Sequence, residues 1–128
     1  PDPEDVMDVL SKVGGLDIAG LAGVFLGGAA LRMPVVMDGF ISCVAALTAK
    51  MLCPGAADYM LSSHVSKEPA SRLILEKLGK SPILHGDMCL GEGTGAIAFL
   101  PVLELGAELY NTMGTFEDIH MEQYEELT

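Results

Sequence analysis

Residues 18–31 form fourteen consecutive positions without a charge, ended by Arg32 and Pro34. Local pattern predicts one helix over 16–32, apolar on every side, with Gly20, Gly23 and Gly27 falling close to a single stripe. Each glycine costs a helix about 1 kcal/mol relative to alanine. Three on one stripe therefore predict that another backbone comes close there. A helix without a polar face has to be covered all round, which a free domain of 128 residues struggles to do. A missing segment or a partner subunit is expected to cover it. The run is too short for a membrane span, which needs about 20 apolar residues, and no basic stretch precedes it as in a signal peptide.

Charge narrows the partners further. Seven basic residues face eighteen acidic ones, a net charge of −11. A phosphate-backbone binder needs clustered Lys and Arg, so nucleic acid is not an expected partner. Anionic membrane surfaces are disfavoured for the same reason. Half the residues are hydrophobic, too many for a disordered chain. Cys43, Cys53 and Cys89 are odd in number and form no C-x-x-C pair. They read as reduced thiols of a cytoplasmic protein rather than a disulfide framework. The chain starts at Pro1 rather than Met, and a fragment or a processed product is expected.

Around the apolar helix the pattern alternates. Asp2-Pro3-Glu4-Asp5 reads as a helix start with a capping Asp followed by Pro. Val6, Val9, Leu10 and Val13 follow at helical spacing up to Gly14-Gly15. Short apolar strands are predicted over 34–39, 57–61 and 82–85, with helices over 40–52, from about 66 to Gly79, and over 96–111. Glu76 and Lys80 are placed to form a surface pair. The acidic stretch from about 115 to 128 reads as a terminal helix or frayed tail. Strands alternating with helices define an α/β protein with a parallel sheet, and ligands of such sheets bind at the carboxyl ends of the strands. Three loops meet that description: 38–40, 62–66 and 85–95.

The last of these carries Gly91-Glu92-Gly93-Thr94-Gly95-Ala96, which fits the G-x-G-x-x-[G/A] dinucleotide fingerprint between a strand and a helix. Glu92 would repel a pyrophosphate at that helix start, and no acidic residue closes a second strand about 20 residues on. The spacing leaves two readings of Glu92: a cap for its own helix, or an ionised, accessible proton acceptor flanked by small residues. Asp38, at a strand end before Gly39, is either a turn-former or a second ligand-facing carboxylate. Ser62, Ser63, His64 and Ser66 hold the types of a nucleophile and base, but no G-x-S-x-G elbow accompanies them; Ser66 most simply caps the next helix. His85, Asp87 and Cys89 offer three ligand types on a loop where structural zinc uses four.

Taken together, four strings resemble one family. Lys12-Val-Gly-Gly-Leu-Asp-Ile-Ala19, Arg32-Met-Pro-Val-Val-Met-Asp-Gly-Phe40, Ser63-His-Val-Ser-Lys-Glu-Pro69 and Leu90-Gly-Glu-Gly-Thr-Gly-Ala96 are similar to motifs of the nicotinate-nucleotide:dimethylbenzimidazole phosphoribosyltransferases. The resemblance spans nearly the whole chain and about the C-terminal third of a typical member. It implies an α/β fold with a Rossmann-like parallel sheet and flanking helices, residues 1–128 being the C-terminal part of a larger enzyme. It implies a cytoplasmic homodimer transferring phosphoribose from nicotinate mononucleotide to 5,6-dimethylbenzimidazole, with no metal or other cofactor. Glu92 would be the general base; Asp38, Ser66, Gly91 and Gly93 would bind substrate. The isolated chain is expected to turn over little, because no phosphate cradle is visible among its scattered Lys and Arg. The alternatives are a dinucleotide-binding module and a non-enzymatic dimerisation domain.

Overall fold

The computed structural model describes residues 1–122. Helix α1 spans Val6–Val13. Its cap is Asp5 rather than Asp2: Asp5 Oδ1 accepts the amides of Met7 at 3.0 Å and Asp8 at 3.1 Å. Asp2 instead closes the turn before it, accepting the Glu4 amide. The exposed Lys12–Asp8 pair, 2.6 Å apart, ties down the last turn.

The apolar helix forms as α2, Leu16–Ala30, but it is not enclosed. Ala22 and Phe25 are buried, with Ile18, Leu26 and Ala29 packed beside them. This single stripe faces the core while Leu16 and Val24 stay exposed. Gly20, Gly23 and Gly27 have open space where a side chain would stand, so among the described residues no backbone approaches their stripe. The close approach falls on Gly28, where a Cβ would collide with Val35 Cγ2. There α2 folds back onto the strand that follows it.

That strand, β1, is Val35–Met37. Helix α3, Phe40–Leu52, has the bounds that the apolar spacing predicts. Its Cys43, Ala45, Ala46 and Ala49 are buried, small side chains that let α2, α4 and a 3-10 helix pack closely around it. The 3-10 helix, Pro54–Tyr59 with Pro at its start, takes the first half of the predicted second strand and leaves β2 as Met60–Ser62. Strands β1 and β2 pair in parallel, Val36 opposite Leu61. The predicted third strand is reduced to one parallel bridge between His64 and Leu84. Pro82 has no amide to donate, and Ser63 O takes both the Ile83 and Leu84 amides, at 3.2 and 2.8 Å, so no regular ladder develops. Helices with a small parallel sheet make this an α/β fold.

Helix α4 spans Ser71–Leu78. It starts later than predicted, at Ala70 and without a side-chain cap, so Ser66 does not cap it. Gly79 ends it at φ +69°, with Lys80 N–H reaching Leu75 O at 3.0 Å, the paired bonds of a glycine C-terminus. This turn carries Lys80 off the helix face, and among the described residues it forms no salt bridge with Glu76. Lys50 covers the remaining α4 carbonyls, its Nζ 3.0 Å from both Lys77 O and Leu78 O. Helix α5, Thr94–Thr112, contains Pro101 and buries only Gly95 and Phe99. Residues 116–120 of the acidic stretch are turns, not a helix, and 123–128 lie outside the described residues. No described helix is long and apolar enough to cross a membrane.

Candidate functional site

The carboxyl ends of β1 and β2 and the loop before α5 converge on one cavity of about 430 Å³. Its lining includes Asp38, Ser66, Gly91 and Glu92, four of the five residues singled out from the sequence. Gly93 does not line it, but its amide is bonded to Asp38.

Asp38 organises this end of the sheet. Its backbone N–H donates to Ser42 Oγ at 2.9 Å, and Ser42 Oγ donates to Gly39 O at 2.8 Å, which fixes the turn into α3. Its carboxylate reaches across to α5: Oδ2 accepts the Gly93 amide at 3.0 Å and Oδ1 the Ala96 amide at 2.9 Å. These are orphan donors of a helix N-terminus, and a carboxylate there is favoured by the helix dipole. Glu92 is thus not the cap of its helix; Asp38 is. The position a dinucleotide's pyrophosphate would need is occupied by the same carboxylate, which leaves the glycine loop without that function.

Glu92 lies between Gly91 at φ +75° and Gly93 at φ +81°, and is itself at φ +57°. All three consecutive residues are thus at positive φ. For a residue with a Cβ that conformation costs roughly 1–2 kcal/mol. Thr94 holds the loop from beneath, its N–H and Oγ1 donating to Gly91 O at 3.1 and 2.7 Å. The Glu92 side chain is exposed, borders the cavity and enters no hydrogen bond or salt bridge among the described residues.

Ser66 is buried. Its Oγ donates to Glu68 Oε2, and its backbone N–H donates to Ser71 Oγ at 3.1 Å. Glu68 joins the lining, as do Cys89, Leu90, Phe40, Ile41 and Leu21, none of which sequence reasoning singled out as a substrate contact. Glu68, Cys89, Leu90 and Phe40 lie in or beside loops already marked as strand ends. Leu21 comes from α2 and carries no local signal. His64, set aside for want of a nucleophile elbow, also lines the cavity and is buried. Its ring lies so close to α5 that a Cβ on Gly95 would overlap Nδ1.

The cavity's electrostatics are acidic: Asp38, Glu68 and Glu92 line it, and among the described residues no Lys or Arg does. Beneath it, burial pushes the Cys43 thiol up to about 11; Ser42 opposes this by hydrogen bonding and the Asp38 charge adds to it. His85, Asp87 and Cys89 do not converge, and no cluster of three or more His, Cys, Asp or Glu suited to a metal occurs among the described residues.

Two short parallel strands, helices on the sheet and a carboxylate-lined cavity at the strand ends define an α/β protein with a ligand site in the usual place for that class. The phosphoribosyltransferase family model matches residues 1–120. The nicotinate-nucleotide–dimethylbenzimidazole phosphoribosyltransferase of Acetivibrio thermocellus is 50% identical over 125 residues, 98% of this chain and 36% of that protein. The protein of the same name from Desulforamulus reducens is 53% identical over 118 residues, 92% of this chain and 34% of that protein. The crystal structure of the Thermus thermophilus nicotinate-nucleotide-dimethylbenzimidazole phosphoribosyltransferase superposes with a TM-score of 0.87 at 36% identity, covering 97% of this chain and 37% of that one. The chain belongs to the nicotinate-nucleotide–dimethylbenzimidazole phosphoribosyltransferase family. It spans about a third of the length of the relatives it matches.

Proposed function

We propose that this chain forms the base-bearing part of an enzyme that transfers phosphoribose from nicotinate mononucleotide to 5,6-dimethylbenzimidazole. The observation that carries the proposal is the gathering of Asp38, Ser66, Gly91 and Glu92 around one cavity, with Glu92 exposed on a loop anchored by Asp38. In the transfer, one ring nitrogen of the benzimidazole attacks the anomeric carbon as its bond to the pyridinium nitrogen breaks, with inversion. Nicotinate leaves with that electron pair and needs no proton, because its ring was cationic. The second benzimidazole nitrogen loses its proton to the Glu92 carboxylate, which leaves a neutral product base. Before that transfer the carboxylate charge also favours an oxocarbenium-like transition state.

Asp38 and Ser66 serve the nucleotide side in this reading, and Gly91 and Gly93 leave room for substrate beside the backbone. Asp38 does so with its carboxylate already engaged by α5, so it acts chiefly by holding the loop. Among the described residues the lining has no Lys or Arg, and in this reading the 5′-phosphate is held by the remainder of the full-length enzyme, where β1 and β2 belong to a larger Rossmann-like sheet. A homodimer is supported by the open glycine stripe and exposed Val24 of α2; sedimentation of the full-length protein as a strict monomer would remove it. A cytoplasmic location is supported by three free thiols. The transfer is tested by supplying both substrates to the full-length enzyme and counting products. One nicotinate for each ribosylated benzimidazole is expected; nicotinate release without the second product, or none at all, contradicts it.

A further inference from the structure

We propose that His64 is a further substrate-binding residue of this cavity, presenting an unprotonated Nε2 that accepts a hydroxyl of the nucleotide's sugar. The identity of the sugar rests on the phosphoribosyl-transfer reading; the tautomer does not. Ser63 Oγ carries one proton. It lies 2.5 Å from Met37 O, a carbonyl that only accepts, so the proton is committed there. The 3.0 Å contact between Ser63 Oγ and His64 Nδ1 must then have Nδ1 as the donor. In the neutral form of the ring, which the proposal takes, a proton on Nδ1 leaves Nε2 as an acceptor.

The ring has little freedom to change this. It is 3% exposed, and its Nδ1–Cε1 edge rests on Gly95, where a Cβ would overlap both of those atoms. No hydrogen bond among the described residues uses Nε2. It is also not sealed off, because Ser62 Oγ is the one buried side-chain nitrogen or oxygen without a partner among those residues. His64 lines the cavity together with Asp38, Ser66 and Glu92, and in this proposal Nε2 opens there. Around it stand carboxylates, which accept rather than donate. A ligand that satisfies Nε2 must bring its own donor, and a sugar hydroxyl does.

Initial rates of nicotinate release by the full-length enzyme test this with His64→Asn, whose amide keeps a donor near Nδ1 and puts nothing at Nε2. Loss of one neutral hydrogen bond predicts a KM for nicotinate mononucleotide raised roughly two- to tenfold, with kcat nearly unchanged. With the 2′-deoxy or the 3′-deoxy nucleotide, whichever lacks the hydroxyl bound by Nε2, the two enzymes converge. An unchanged KM, or the same gap with both deoxy substrates, overturns the assignment. If the parent enzyme releases no nicotinate, the phosphoribosyl reading fails, and nitrogen NMR of the histidine-labelled protein decides His64 independently. A protonated Nδ1 and an Nε2 resonance that moves on addition of ribose 5-phosphate are expected. A protonated Nε2, or one indifferent to the sugar, overturns the proposal.

Discussion

The carboxylate of Asp38, at the end of β1, accepts the amide of Gly93 at 3.0 Å across 55 residues of sequence. With its second bond to Ala96, it makes the start of α5 depend on the first strand. Asp38→Ala leaves two amides at a part-buried helix end without their acceptor, and a lost charged cap costs roughly 1–2 kcal/mol. The expected outcome is a melting transition lowered accordingly, together with faster amide exchange confined to the glycine loop and first turn of α5. Uniform exchange across the chain would show that Asp38 does not act as that anchor.

Gly95 and Gly93 are expected to fail for different reasons. Gly95→Ala drives a methyl against the buried His64 ring, an overpacking cost of about 1–3 kcal/mol. Gly93→Ala meets open space but must hold φ +81°, so its cost is backbone strain of roughly 1–2 kcal/mol. Trimming the ring separates them: in a His64→Ala background the part of the Gly95→Ala penalty due to the ring disappears, with Asp38 Oδ1 still 3.0 Å from the added methyl, and the Gly93→Ala penalty is unchanged. Chemical denaturation of the single and double variants measures this cycle.

Sequence pattern reached some of this arrangement and missed the rest for identifiable reasons. Helix α3 and the Gly79 stop were legible because apolar spacing and a C-terminal glycine are local signals. The strand-end loops were legible because α/β topology puts ligands there, and that brought Asp38, Ser66 and Glu92 to one cavity. The cap of α5 was not legible: Glu92 is the adjacent acid, whereas the residue that does the capping is brought in by strand pairing. Similarly, the close approach that α2 makes within the described residues, at Gly28, was not legible, because it is decided by where the chain turns back toward Val35. His64 was passed over because it lacked a catalytic motif. Its surroundings are set by Ser63, Met37 and Gly95, a combination no local window contains.

Cys43 makes stability depend on alkaline pH. The thiol is neutral in both states below its unfolded value of 9.0, so its burial carries no ionisation penalty there. Between 9.0 and about 11 the unfolded chain ionises while the folded one does not, and stability falls with rising pH. Two pH units correspond to at most about 3 kcal/mol. Denaturation midpoints of the parent protein are expected to drop across this window more steeply than those of Cys43→Ala. Parallel pH profiles would contradict the burial of a neutral thiol under the site.

The role of Glu92 is tested most directly by single-turnover nicotinate release from the full-length enzyme carrying Glu92→Gln, saturated with both substrates. Gln keeps the size of the side chain and loses the ability to take a proton. General base catalysis contributes about 10²- to 10⁴-fold, so the rate of the chemical step should fall by that order, with nucleotide affinity little changed. A variant that releases nicotinate at the parent rate would contradict the account.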